Sequence, residues 1–111
     1  MPMAAAVHLT RTIADVAPLI ERRELSPVDL VEAQLARIAA LDGQLKSFLL
    51  VTADLAREQA RVAAREIAGG HYRGALHGIP IGLKDLIDTA GIPTTCASPM
   101  LRHRLPAHDA A

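Results

Sequence analysis

Between His77 and Ser98 the chain gathers a lysine, two aspartates, a cysteine and a serine: Lys84, Asp85, Asp88, Cys96 and Ser98. The lysine has the most suggestive setting. Ile79, Ile81 and Leu83 alternate with Pro80, Gly82 and Lys84, and a side-chain period of two is what an extended strand imposes. One face of such a strand is branched and apolar. The other bears two residues of almost no reach and then the lysine, so another backbone can come close where Gly82 offers no Cβ. A lysine acts as a base only when its ammonium gives up a proton near neutral pH. Moving a lysine from about 10.4 to about 7 corresponds to about 4–5 kcal/mol of preference for the neutral form, which burial can supply. The plainer alternative stays open on spacing alone: a lysine at a strand end snorkels to water or binds a carboxylate.

The neighbouring residues offer less. Asp85 and Asp88 have no third ligand at a sensible spacing, so they do not form a metal site; Asp85 is expected to hold a backbone amide or a nearby cation. Cys96 is the sole cysteine, which excludes an internal disulfide, and without a base partner a packed thiol is its expected role. Ser98 can be set against Lys84 as a Ser-Lys pair, but it lacks the strained Gly-flanked turn that would expose a nucleophile. His8, His71, His77, His103 and His108 are scattered, without the paired spacing of a zinc site. No metal and no cofactor are expected.

The run Gly74-Ala75-Leu76-His77-Gly78-Ile79-Pro80-Ile81-Gly82-Leu83-Lys84-Asp85, followed by Thr89-Ala90-Gly91-Ile92-Pro93-Thr94-Thr95-Cys96-Ala97-Ser98, resembles the first conserved block of the amidase signature family. That family includes bacterial amidases and the A subunit of the glutamyl-tRNA(Gln) amidotransferase. A weaker resemblance extends back to about Thr12. The resemblance implies an α/β/α fold, with helices packed on a mixed sheet that is incomplete in this chain. It implies hydrolysis or transfer of amide groups by a serine nucleophile, a second serine on a cis peptide bond, and a lysine. Lys84 stands at the family's lysine. The family's two serines belong to a Gly-Ser-rich run with no counterpart up to Ala111, so the chain is expected to supply the lysine alone and to be inactive by itself. The substrate implied is a small-molecule amide, and an oligomer or a partner subunit is compatible with the reading. Ser98 is not at the family's nucleophile position.

Around this block the sequence places helices. Thr12-Ile13-Ala14-Asp15 can cap a first helix to about Arg23, shortened or kinked by Pro18. Ser26-Pro27-Val28-Asp29 is a stronger start: serine as cap, proline at the first helical position, an acid in the first turn. Val28, Val31, Leu35 and Ile38 follow as an apolar stripe, and Gly43 is expected to end the helix. Phe48-Leu49-Leu50-Val51 reads as a short buried strand. Thr52 is expected to cap a third helix that ends at Gly69-Gly70. Its Ala56, Ala60, Ala63 and Ile67 line one side, while Asp54 with Arg57 and Glu58 with Arg61 pair on a solvated one. Thr89 to Pro93 forms a turn.

Composition narrows the class. The chain has 111 residues, half of them hydrophobic, which excludes a disordered, highly charged polypeptide. Twelve basic residues balance twelve acidic ones without a cationic block, so direct nucleic-acid binding is not expected. No stretch approaches the roughly 18 apolar residues of a membrane span, and the expected location is cytoplasmic. Residues 1–11 read as a disordered tail and 12–111 as the N-terminal part of an amidase signature domain, truncated before the Gly-Ser-rich block. The two expected strands do not complete a sheet, and Asp109-Ala110-Ala111 has the look of a helix cap and first turn. A reading of another class is a non-catalytic α/β or helical interaction module, or a truncated remnant, that kept the strand without the enzyme.

Overall fold

The structure, a computed structural model, describes residues 11–111. The tail expected over residues 1–11, and His8 with it, lies outside them except for Arg11. The described chain divides into two compact units, with the boundary between Pro80 and Ile81.

In the first unit, helix α1 (Ile13–Glu21) begins in a full capping box: Thr12 Oγ1 accepts from the Asp15 amide at 3.3 Å, and Asp15 Oδ2 accepts from the Thr12 amide at 2.9 Å. Two of the first turn's unpaired donors are thereby satisfied. Pro18 lies inside the helix, and regular structure stops two residues short of the expected end at Arg23. Helix α2 (Pro27–Leu45) starts as its sequence directs, with Ser26 Oγ accepting from the Val28 amide at 3.2 Å and Pro27 in the first turn. Gly43 does not end it. The helix runs on to Lys46, whose left-handed φ of 50° forms the cap. The reason is Asp42: its Oδ1 accepts from the Ser47 and Phe48 amides at 2.6 and 3.2 Å, which fastens the exit one half-turn later. Helix α3 (Ala53–Ala68) begins after Thr52, whose side chain makes no capping bond.

Helices α2 and α3 pack together. Val16, Ile20, Leu25, Leu30 and Ile67 form the core, with Leu19, Tyr72 and Ile79 against it. Ala60 and Ala63 complete the buried side of α3; with no branch beyond Cβ they let the helices approach closely. On α2 the most buried apolar residues are Leu30, Val31 and Ala33, while Val28, Leu35 and Ile38 are only half-buried. The expected stripe is thus rotated toward Leu30. Arg57 pairs with Glu32 of α2 at 2.7 Å and with the fully exposed Asp54 at 3.5 Å, so the arginine assigned to a helix-surface pair also links two helices.

The expected mixed sheet is not present among the described residues. Phe48–Val51 is irregular and exposed, and residues 79–84 form no ladder. Their patterns suit strands, but a strand needs a neighbouring backbone to satisfy its N–H and C=O groups. In the second unit, Ile81–Ala111, there is a short 3-10 turn at Pro99–Leu101 and an isolated bridge between Thr89 and Ile92. Long-range backbone bonds hold the rest: Gly91 to Pro106, Thr94 to Arg104, Ala110 to Asp88. Asp109 does not cap a helix here; its Oδ1 accepts from the Ala90 amide at 2.8 Å.

Candidate active site

Lys84 is exposed, on an irregular segment of the second unit. Its carbonyl accepts from the Ile87 amide at 3.0 Å, which folds residues 84–87 into a turn. Among the described residues its ammonium makes no ion pair.

Asp85, the next residue, faces a different set of donors. Its Oδ1 accepts from the Thr95 amide at 2.8 Å, its Oδ2 from the Thr95 hydroxyl and from the Ala97 amide at 3.3 Å. Its carbonyl oxygen takes the Cys96 amide at 2.8 Å. The Thr95 hydroxyl, and after it the Thr95 amide, hold the Asp85 carboxyl below the usual carboxylate range, because these bonds favour the ionised form. The expectation that Asp85 would hold backbone amides is met.

The segment it holds is unusual. Cys96 and Ala97 both lie in the left-handed region, at φ 51° and 55°, and the Ser98 amide closes the turn on the Thr95 carbonyl at 2.9 Å. Positive φ at both central positions is the pattern of a type I′ turn, normally built with Asn and Gly. For residues bearing a Cβ it costs roughly 1–2 kcal/mol each. The bonds from Asp85 offset that cost. This also corrects the reading of Cys96, which is exposed rather than packed, as befits the tip of a tight turn. Ser98 closes the turn through its amide, and its flanks carry no Gly-bounded elbow.

Asp88 pairs in a two-pronged contact with Arg104, at 2.6 and 2.8 Å. The Arg104 guanidinium holds the Asp88 carboxyl low, and Asp88 raises Arg104 in turn. Asp85 and Asp88 are therefore engaged by separate partners. Among the described residues no group of three or more His, Cys, Asp or Glu is placed to hold a metal ion. No helix of the described residues is long and apolar enough to cross a membrane.

Sequence reasoning missed one cluster in the first unit. His77 is buried, with its Nε2 2.7 Å from Glu66 Oε2. Its Nδ1 is 3.1 Å from the Arg73 amide, and a backbone N–H only donates. Nδ1 is therefore the acceptor, and Nε2 carries the proton toward Glu66. The Arg73 guanidinium donates to the same Glu66 oxygen at 2.9 Å, and Tyr72 stacks on the imidazole with ring centroids 6.1 Å apart. Arg73 and Tyr72 come from the loop that follows α3, but Glu66 comes from α3 itself, and no local spacing announces that contact. The cluster ties the loop 73–78 to α3, and beside it an open groove of about 750 Å³ is lined by Val31, Ala60, Ala63, Leu76 and Ile79.

Comparison with known proteins places these residues in context. A family model described as Amidase matches residues 29–111. "Putative amidase AmiD" of Mycobacterium tuberculosis (strain ATCC 25618 / H37Rv) is 45% identical over 98 residues, covering 88% of this chain and 21% of that protein. The A subunit of the glutamyl-tRNA(Gln) amidotransferase of Synechococcus elongatus (strain ATCC 33912 / PCC 7942 / FACHB-805) is 47% identical over 98 residues, 88% of this chain and 20% of that protein. Its namesake from Roseiflexus sp. (strain RS-1) is 46% identical over 100 residues, 89% of this chain and 20% of that protein. The chain thus spans about a fifth of the length of the curated relatives it matches.

Proposed function

Because this chain belongs to the Amidase family, we propose that it forms the N-terminal portion of an amide-hydrolysing enzyme in which Lys84 is the base. The observation that carries the reading is the extent of the family match: residues 29–111 contain both the Lys84-Asp85 step and the turn that follows Gly91. Residues 12–111 then belong to an α/β/α domain, and residues 79–84 pair as a strand once the remaining sheet lies beside them. Ile81 and Leu83, 69% and 54% exposed in this chain, are the side chains such a neighbour would cover.

In this reading the neutral Lys84 amine accepts a proton, relayed through a serine on a cis peptide bond, from the nucleophilic serine. Both serines come from a Gly-Ser-rich run outside these residues. The serine oxygen bonds to the amide carbon, and the C–N bond breaks as the nitrogen takes the relayed proton and leaves as ammonia or an amine. Water then attacks the acyl-enzyme, releasing the carboxylic acid and restoring the serine hydroxyl. Backbone amides of the Gly-Ser-rich run stabilise the oxyanion. The substrate class is a small-molecule amide handled in the cytoplasm.

A second reading has specific support: relatives named as the A subunit of the glutamyl-tRNA(Gln) amidotransferase match this chain at 46–47% identity. There the same chemistry would release ammonia for transfer, in company with partner subunits. The two are separated by assaying ammonia release from simple amides and from glutamine. The test compares the 111-residue chain with the same chain continued to the relatives' length through a serine-bearing run. The continued enzyme is expected to turn over and the short chain is not. Turnover by the short chain alone, or no ammonia release from any amide by the continued and folded enzyme, overturns the reading.

A further inference from the structure

We propose that Asp85 is a positioning residue for Lys84: by tying itself to the turn at 95–98 it fixes the backbone that carries the lysine. The inference rests on the reading of Lys84 as the base.

The geometry is specific. Lys84 and Asp85 share one planar peptide. On the Lys84 side its carbonyl is taken by the Ile87 amide at 3.0 Å, and on the Asp85 side the carbonyl is taken by the Cys96 amide at 2.8 Å. The Asp85 carboxylate adds the Thr95 amide and hydroxyl and the Ala97 amide. Every donor that Asp85 uses thus comes from three consecutive residues, Thr95 to Ala97. A carboxylate adjacent to a basic lysine carries a hazard, because an ion pair would favour the charged ammonium. Here the carboxylate is directed to the turn, and Lys84 makes no ion pair among the described residues. Asp85 therefore contributes rigidity at the lysine's Cα without acting as its counter-ion. The left-handed Cys96 and Ala97 give the tie a second consequence: without Asp85 the turn relaxes, and its wall beside residue 85 goes with it. A misplacement of about 1 Å at a reacting group can lower a rate on the order of 100-fold.

The test uses the continued, active enzyme and three variants, with kcat and KM measured separately. Asp85→Asn leaves one acceptor but turns an amide NH2 toward donors; kcat is expected to fall about 100-fold with KM within about twofold. Thr95→Val removes only the hydroxyl and is expected to lower kcat about tenfold, while Thr95→Ser, which keeps both donors, restores it. A kcat for folded Asp85→Asn within about threefold of the parent overturns the proposal. If that variant does not fold, Thr95→Val decides alone, and a kcat within about twofold of the parent overturns it. A change confined to KM also counts against it. Lys84→Met in the same assay separates the premises: full activity in that variant defeats the reading of Lys84 itself, whereas its loss beside an unaffected Asp85→Asn defeats only the positioning role.

Discussion

With one side chain Asp85 satisfies two amides and a hydroxyl while holding a turn that non-glycine residues disfavour. Its carboxyl is held low in the folded chain by Thr95. A depressed folded value contributes stability that is present above the unfolded carboxyl value of about 3.9 and is lost as pH falls through the folded value. Asp88 beside Arg104 behaves in the same sense. The expected outcome is that the turn at 95–98 stays intact through mildly acidic pH and opens only below about pH 4, as followed by the amide resonances of Cys96 and Ala97. Asp85→Asn, which does not titrate, should remove that acid transition. A transition centred near neutral pH, or one unchanged in Asp85→Asn, contradicts the assignment. The sequence left Asp85 to hold a backbone amide or a nearby cation. It did not announce Thr95 as the partner, since that contact depends on the intervening residues folding back.

At the scale of elements, the helices were legible because their signals are local. The Thr12/Asp15 box, the Ser26-Pro27 start and the Ala60, Ala63, Ile67 side of α3 all lie where spacing puts them. The misplaced features each have a competing contact: Asp42 overrides Gly43 as the exit signal of α2, and burial of Leu30 rotates the α2 face. His77 was illegible for the same reason as Thr95, its partner Glu66 being supplied by another element. The loop that holds His77 depends on Gly78. At φ 83° it sits in the left-handed region, and a Cβ there would stand 2.6 Å from Pro27 Cγ and 3.1 Å from Pro27 Cβ. A proline ring has little room to move aside. Gly78→Ala therefore combines left-handed strain with overpacking, and about 2–4 kcal/mol of destabilisation of the first unit is expected, measured as a lowered denaturant midpoint. A midpoint unchanged within error contradicts the packing of this loop on α2.

For the whole molecule, what was hardest to read is the sheet. Phe48–Val51 and residues 79–84 carry strand patterns, yet Leu49 is 78% exposed and neither segment pairs among the described residues. Pattern states which faces want burial; the partner backbone is a separate requirement that a single chain's periodicity does not contain. The chain corresponds to about a fifth of its curated relatives, and the proposed enzyme places the lysine here and the serines elsewhere. That division makes the role of Lys84 testable by one substitution. In the enzyme continued to the relatives' length, Lys84→Met keeps an unbranched side chain one heavy atom shorter and removes the amine, and initial rates of ammonia release from a simple amide are compared with the parent. The expected result is a folded protein whose rate falls by about 10³-fold or more; a rate within a few-fold of the parent would contradict Lys84 as the base.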